Sequence, residues 1–323
     1  MPNRPRALLV LALLACLSVA SLAVALAVGS IALPLHDIVA ALTGAATPSS
    51  AIVLDLRLPR ALAGFACGGL LALAGALMQV LLRNPLADPY VLGISGGAGV
   101  GALSAMLLGL AGFGIASLSF GGALAAMLLV FGLARGDGSW TQTRLLLTGV
   151  VVAAGCGAVI ALMLTLAPEQ KIHGMLFWLM GDLSLVADPK PALAVLGVGI
   201  LIALPFAREL NLLARGAEQA AALGVAVSSL RRLVYVVASL MTAIAVTTAG
   251  SIGFVGLVVP HLVRLAIGND QRLLLPASVL AGGSLLVLAD TLARTLVAPI
   301  QLPVGVLTAL IGVPVFLYLL GRK

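Results

Sequence analysis

Long apolar runs separated by short polar turns fill this chain from one end to the other. About ten of them read as membrane-spanning helices, over residues 7–29, 59–82, 92–110, 115–134, 144–167, 191–207, 233–250, 254–268, 274–294 and 304–321. A span needs roughly 20 apolar residues, and most of these runs approach that length, 254–268 being the shortest. Apolar residues follow one another rather than alternating with polar ones, so an outer-membrane barrel is excluded. The pattern predicts an all-α polytopic membrane protein, a single transmembrane domain over residues 1–323. The first run follows Arg4 and Arg6 and exceeds the roughly 7–15 residues of a signal-peptide core, so it is expected to be an uncleaved span.

Composition sharpens this picture. The chain is 62% hydrophobic and 9% charged, where soluble domains carry roughly 25% charged residues. Its formal net charge of +7 does not indicate nucleic acid. The basic residues are scattered singly at the ends of apolar runs, and aromatics make up only 4%. With the N-terminus inside, 13 of the 18 Lys and Arg residues fall on the inner side. Arg57, Arg60, Lys171, Lys190 and Arg294 form the outer set. That bias predicts both termini in the cytoplasm and an even number of spans. Cys16, Cys67 and Cys156 each lie inside an apolar run, with no CxxC spacing and no metal-ligand cluster, and read as small buried hydrophobes.

Three polar stretches stand out. Residues 168–189, on the outer side, read as an interfacial helix followed by a turn. Residues 208–232 form the longest inner segment, with a helix-forming core AEQAAALG and a stop at Gly224. Residues 268–272, GNDQR, form a short inner turn.

The spans are almost bare of ionisable groups, which an ion-coupled secondary transporter needs in mid-membrane. Asp290 is the main candidate, close to an outer helix end, and His261 lies near the inner boundary. Uphill transport therefore calls for an external energy source, and an ATPase partner on the inner face is the natural one. The chain has no GxxxxGK[ST] loop of its own. Gly93-Ile94-Ser95-Gly96-Gly97 matches the GxSxG of serine hydrolases and the GxSG of intramembrane serine proteases. The first needs a strand-to-helix elbow. The second needs a histidine within reach of Ser95, and nothing in the sequence brings His36, His173 or His261 close. A helix-start role for Ser95 is the simpler reading.

The words that carry a resemblance run in order along the chain: RLPR at 57–60, RNPLADPYVLGISGGAG at 83–99, TRLLLTGV at 143–150, GFVGLVVPHLVRL at 253–265, LLLPASVLAGGSLLVLAD at 273–290 and LPVGVLTALIGVPVFLYLL at 302–320. Together they resemble the membrane permease subunits of ABC importers for iron–siderophore complexes, haem and vitamin B12. The resemblance implies the type II ABC importer permease fold in a bacterial inner membrane. It implies a homodimer of ten-helix subunits, two ATPase subunits that bind ATP-Mg on the cytoplasmic face, and a periplasmic substrate-binding protein. No cofactor or metal is expected on this chain, which is a transport subunit rather than an enzyme.

The resemblance also implies roles for particular residues. Arg57, Arg60 and Arg294 match sockets for acidic residues of the binding protein. The alternative is that they are topological anchors that snorkel to headgroups, but arginines on the outer side work against the inside-positive bias, which favours docking. Asn84, Leu86, Gln142 and Thr143, on two inner turns, resemble a cytoplasmic gate, with loop capping as the alternative. Gly216, Glu218, Ala220, Leu223 and Gly224 match the ATPase-coupling pattern, from which Ala217 and Ala221 depart. Gln301 stands where the family commonly has glutamate. The cargo is not readable from the sequence.

Overall fold

A computed structural model of the chain describes residues 4–29, 31, 33–45, 47–134, 141–184, 186 and 188–321. Arg135, Arg322 and Lys323, three of the expected inner charges, lie outside the described residues. The described residues form helices and connecting loops. In order these are α1 (Arg4–Ala27), α2 (Leu35–Leu42), a π-helical turn (Ile52–Arg57) that runs directly into α3 (Leu58–Leu81), and a 3₁₀ turn (Pro89–Leu92) that leads into α4 (Ile94–Leu107). There follow α5 (Phe113–Leu133), α6 (Gln142–Leu166), α7 (Glu169–Met180), α8 (Lys190–Ala203), α9 (Ala207–Arg215), α10 (Ala217–Ala222), α11 (Val227–Ala249), α12 (Val255–Ile267), α13 (Gln271–Ala293) and α14 (Val304–Gly321).

Six helices are long and apolar enough to cross a membrane, the longest being Ile52–Leu81, which joins the π-helical turn to α3. The α8–α9 pair passes the same test as one element bent by 68°. α4, α12 and α14 are shorter apolar helices. The chain is thus a multi-pass helical membrane protein. The expected loop before residue 59 is helical instead, so Arg57 sits within a helix rather than on a flanking strand of coil. The expected span 191–207 stops at Ala203, and α9 turns sharply away from it.

The fold is built around α3. In its window 89% of residues are buried, and α13, α11, α12 and α8 pack against it. Lipid tails are as apolar as leucine, so burial alone does not drive helices together. Close backbone contact does, and small residues allow it. A Cβ on Gly75 would lie 1.9 Å from the carbonyl oxygen of Gly256 in α12, and one on Gly68 would lie 2.2 Å from that of Gly282 in α13. α4 and α5 meet in the same way, since a Cβ on Gly97 would lie 2.4 Å from the Gly122 oxygen.

Two ends of the bundle can be distinguished. α1 ends, α3 begins and α13 ends at one of them, where Arg57, Arg60 and Arg294 meet. At the opposite end α3 ends, and α6 and α13 begin. α3 closes there on Arg83, which takes a left-handed φ of 47°, while the Asn84 N–H reaches back to the Gln79 oxygen at 3.2 Å. This is the Schellman arrangement, with arginine where glycine is usual.

Between the two ends four interruptions converge. The 3₁₀ turn before α4, the α7 terminus, the α11–α12 break and the start of α14 satisfy one another's open backbone groups. The Ile252 N–H donates to the Tyr90 hydroxyl at 2.9 Å. Asp182 N–H donates to the Ala249 oxygen at 2.8 Å, and Val304 N–H to the Gly181 oxygen at 3.0 Å. Broken helices persist within a bilayer only where such groups are buried in protein or face a cavity.

These glycine contacts generate a test. Gly75→Ala places a methyl group against a carbonyl that has no room to move. It should cost at least about 3 kcal/mol, the upper part of the range for overpacking, and lower the melting temperature in detergent. Gly197→Ala in α8 meets nothing within 4 Å and should leave stability unchanged or slightly raised. Equal melting temperatures for the two variants would refute the close-packing account.

Candidate functional site

The arginine end is held by charge. Arg60 grips Asp290 with both carboxylate oxygens, Nε to Oδ2 at 2.8 Å and Nη2 to Oδ1 at 2.9 Å. Its remaining Nη1 donates to Gln301 at 3.0 Å. This two-pronged geometry is the strong form of an arginine–carboxylate pair. It also accounts for Asp290, whose charge is balanced by Arg60 rather than free to bind a coupling ion.

Arg57 and Arg294 do something else. α1 ends without a basic residue in its last turn, and its final carbonyls have no partners within the helix. Arg57 Nη1 donates to the oxygens of Leu26, at 2.6 Å, and Ala27, at 3.1 Å, and its Nη2 donates to Ile31. Arg294 donates to the Ala25 oxygen. Both guanidiniums are buried, at 6% and 9% exposure. They act as the C-cap of α1, supplied from the rest of the bundle, where positive charge also suits the negative end of the helix dipole. Lower down, Ser18 and Ser284 share a hydrogen bond of 2.9 Å that joins α1 to α13. Lys171 of α7 repeats the device on α4, its Nζ donating to the oxygens of Met106 and Leu107, both at 2.9 Å.

At the opposite end the residues matched to a gate lie close together. Asn84 sits on the turn after α3, where its Oδ1 accepts from the Leu86 N–H at 2.9 Å. Gln142 and Thr143 do not lie on a turn, as expected, but are the first residues of α6, capped by the Thr141 side chain, which accepts from Arg144 N–H. The Gln142 side chain donates to the Leu81 oxygen at 3.0 Å, tying α6 to the end of α3. Thr143 is exposed. Leu81, Leu82, Thr141, Gln142, Leu145 and Arg231 line a small open cleft here.

The segment matched to an ATPase-coupling pattern follows α8. α9 buries Ala207, Leu210 and Leu213 against the bundle. Gly216, at φ +149°, breaks the chain into α10. Gly224, at φ +83°, closes α10, with the Val225 N–H returning to the Ala220 oxygen at 3.0 Å. Ala220 faces inward, while Glu218 is exposed and Leu223 is 67% exposed. Five matched positions thus resolve into two glycines that shape the segment, one anchor, and two outward side chains. Ser95, the serine of the GxSxG match, shares a hydrogen bond of 2.8 Å with Ser251 at the converging breaks. Among the described residues no group of three or more His, Cys, Asp or Glu is placed to hold a metal.

Sequence reasoning did not find the α1 capping role of Arg57 and Arg294, nor the partner of Asp290. It also did not single out Asn211, which bonds across to the start of α13. Each depends on residues 30 to 270 positions apart, with no local signal beyond a polar residue near a helix end.

The FecCD transport family model matches residues 13–322. The cobalamin import system permease protein BtuC of Halobacterium salinarum is 45% identical over 283 residues, covering 87% of this chain and 76% of that protein. The hemin transport system permease protein HmuU of Yersinia pestis is 41% identical over 283 residues, with 84% of each chain covered. Among solved structures, an inward-facing metal-chelate type ABC transporter superposes with a TM-score of 0.85 at 30% identity, covering 98% of this chain and 100% of that one.

The capping role predicts the behaviour of two variants. Arg57→Ala and Arg294→Ala should each loosen α1 by roughly 1.5–3 kcal/mol for each charged hydrogen bond lost. The readouts are a lower melting temperature in detergent and faster proteolysis just after α1. Arg57→Lys should recover only part of the loss, since one ammonium does not span three carbonyls. An unchanged melting temperature and unchanged cleavage in the double alanine variant would exclude capping.

Proposed function

The chain belongs to the FecCD transport family, and on that basis we propose that it is the permease subunit of an ATP-driven importer that carries a metal chelate into the cytoplasm. It is a transport component, as its relatives are, and not an enzyme. The cargo class is an iron–siderophore complex, haem or vitamin B12. The observation that carries this reading is the match to relatives over nearly the whole chain, together with a helical segment that leaves Glu218 and Leu223 outward at one end of the bundle. The chelator satisfies the metal, so the permease needs no ligand set of its own. ATP-Mg belongs to two partner ATPase subunits, seated on Gly216, Glu218, Ala220, Leu223 and Gly224. The six long helices, the bent α8–α9 pair and the three shorter apolar helices support a ten-span subunit. Both its termini are then cytoplasmic, and its place is the inner membrane.

The working unit is a homodimer. α6 supports this reading, because only 11% of its apolar window is buried within one chain. Two-fold symmetry sets the α3–α4 turn and the start of α6 opposite their copies. Asn84, Leu86, Gln142 and Thr143 then form the cytoplasmic gate. Asn84 and Gln142 hold local geometry, while exposed Thr143 faces the partner. The arginine end is external and receives acidic residues of a periplasmic binding protein. Arg60, with one N–H on neutral Gln301, is the guanidinium that exchanges partners most readily. Arg57 and Arg294 add positive potential there while capping α1. Charge pairs of this kind steer association and fix register.

Uptake by proteoliposomes that hold the permease and its ATPase, with the binding protein supplied outside, tests the whole reading. ATP-dependent accumulation of cobalamin, haem or a ferric siderophore is expected. Accumulation by the permease alone, driven by an ion gradient, would replace this reading with a secondary carrier.

Two variants test the sites. Arg60→Glu should abolish binding-protein docking, with partial return when the facing acid on the partner is reversed, and wild-type docking should weaken as salt rises from low to physiological strength. Undiminished docking by the variant would leave Arg60 as the structural partner of Asp290 alone. Thr143→Cys, in a chain lacking the native cysteines, should crosslink between subunits in a nucleotide-dependent way and arrest transport. An active variant with no crosslink in any nucleotide state would place the gate elsewhere.

A further inference from the structure

α9 is attached to the bundle by more than its apolar face. The Asn211 side chain spans the gap to the start of α13 and makes two bonds there. Its Nδ2 donates to Asp270 Oδ1 at 2.9 Å, and its Oδ1 accepts from the Gln271 N–H at 2.9 Å. Asp270 is the N-cap of α13, and the same Oδ1 accepts from the Arg272 N–H at 3.1 Å. A helix normally has its first N–H groups satisfied by its own N-cap residue or by water. Here one of them is held by a side chain 60 residues away.

α13 runs as one helix from this contact to the arginine end. At 1.5 Å per residue its 23 residues span about 35 Å. Asp290, near its far end, is the residue gripped by Arg60, and Arg294, its C-cap, holds the end of α1. α13 also packs along α3 through the Gly68–Gly282 contact. The hydrogen bonds therefore connect α9, through a single helix that carries Pro276 near its start, to the polar cluster at the other end of the molecule. α10, by contrast, packs chiefly on α9. A push on α10 reaches the bundle through α9, and through α11, which α10 also touches and which follows it in the chain.

We propose that the Asn211–Asp270 contact is the latch through which movement of the coupling segment enters the bundle, with α13 as the element that carries it. This rests on the reading that residues 208–232 seat the ATPase. Asn211 is a positioning residue: it touches neither cargo nor nucleotide. Its amide suits the task because one group offers both a donor and an acceptor, which pins two neighbouring residues of α13 in direction as well as distance. Packing of Leu210 and Leu213 alone would let α9 slide along the bundle.

The test uses the permease–ATPase complex in proteoliposomes, with binding protein and a transported chelate, and measures uptake and ATP hydrolysis together. Asn211→Asp sets two carboxylates face to face and removes the donor. It should leave the complex assembled and ATP hydrolysis within about twofold of wild type, while chelate moved per ATP falls at least tenfold. Adding Asp270→Asn removes one of the two facing charges and lets an amide donate to the remaining carboxylate in exchange for the bond from Arg272 N–H, and should recover at least about threefold of the lost ratio. Asp270→Asn alone keeps every bond and should be near wild type. Uptake per ATP unchanged in Asn211→Asp overturns the latch. A loss that Asp270→Asn does not relieve, or a complex that fails to assemble, also overturns it, since the residue then serves folding or docking. Failure of the underlying reading looks different: Leu223→Asp, whose side chain points away from the bundle, would then assemble with the ATPase as wild type does.

Discussion

Contact between helix backbones along α3 is the constraint on which the rest of the molecule depends. In hydrocarbon there is no solvent for apolar surface to escape, so helices are held by how closely they approach. α3 is buried on all sides and meets α12 and α13 at glycines whose facing carbonyls leave no space for a methyl group. These contacts fix how closely the central helices approach. The polar ties at both ends presuppose that spacing. Arg60 reaches Asp290 with both prongs only because α3 and α13 lie in contact, and Gln142 finds the last carbonyls of α3 for a similar reason.

A second constraint follows from the first. Many helices end near the membrane surface or within it, and each leaves open carbonyls or N–H groups. This chain closes them largely with side chains from elsewhere in the sequence. Two arginines cap α1, a lysine caps α4, an asparagine completes the start of α13, and the converging breaks near Tyr90, Gly181 and Ser251 satisfy one another. Arg57, Arg294 and Lys171 thus stand where α1 and α4 end. Positive groups are placed there because helix C-termini are there. The same placement makes the arginine end electropositive.

The two ends of the bundle differ in how they are tied. At the arginine end the bonds are charged and buried, and they bind α1, α3 and α13 into one unit. At the opposite end the bonds are neutral or singly charged, lie nearer the surface, and join short elements to long ones. Charged, buried contacts are costly to break, whereas amide and hydroxyl contacts exchange with water at modest cost. The end that carries α9 and α10 is thus the more adaptable of the two.

The apolar runs by themselves determined that this is a helical, multi-pass membrane protein, because the hydrophobic length of a helix is a local property of the chain. Gly224, which ends AEQAAALG, marked a helix end for the same local reason, and the order of the motifs from Arg57 to Leu320 identified the family. Only the tertiary structure decided where those runs break. A 15-residue apolar stretch looks alike whether it crosses the bilayer or stops halfway, and Pro205, in the bend after Ala203, is as compatible with a kinked span as with a broken one. It also decided what the charged residues do. Arg57, Arg60 and Arg294 are one kind of residue in one kind of place along the sequence. One of them holds a carboxylate and two hold the end of a helix, because their partners, Asp290 and residues 25–31, reach them only through folding. The joining of Asn211 to Asp270 is of the same nature, since hydrogen bonds between distant segments leave no periodicity, spacing or composition in the chain from which they are read.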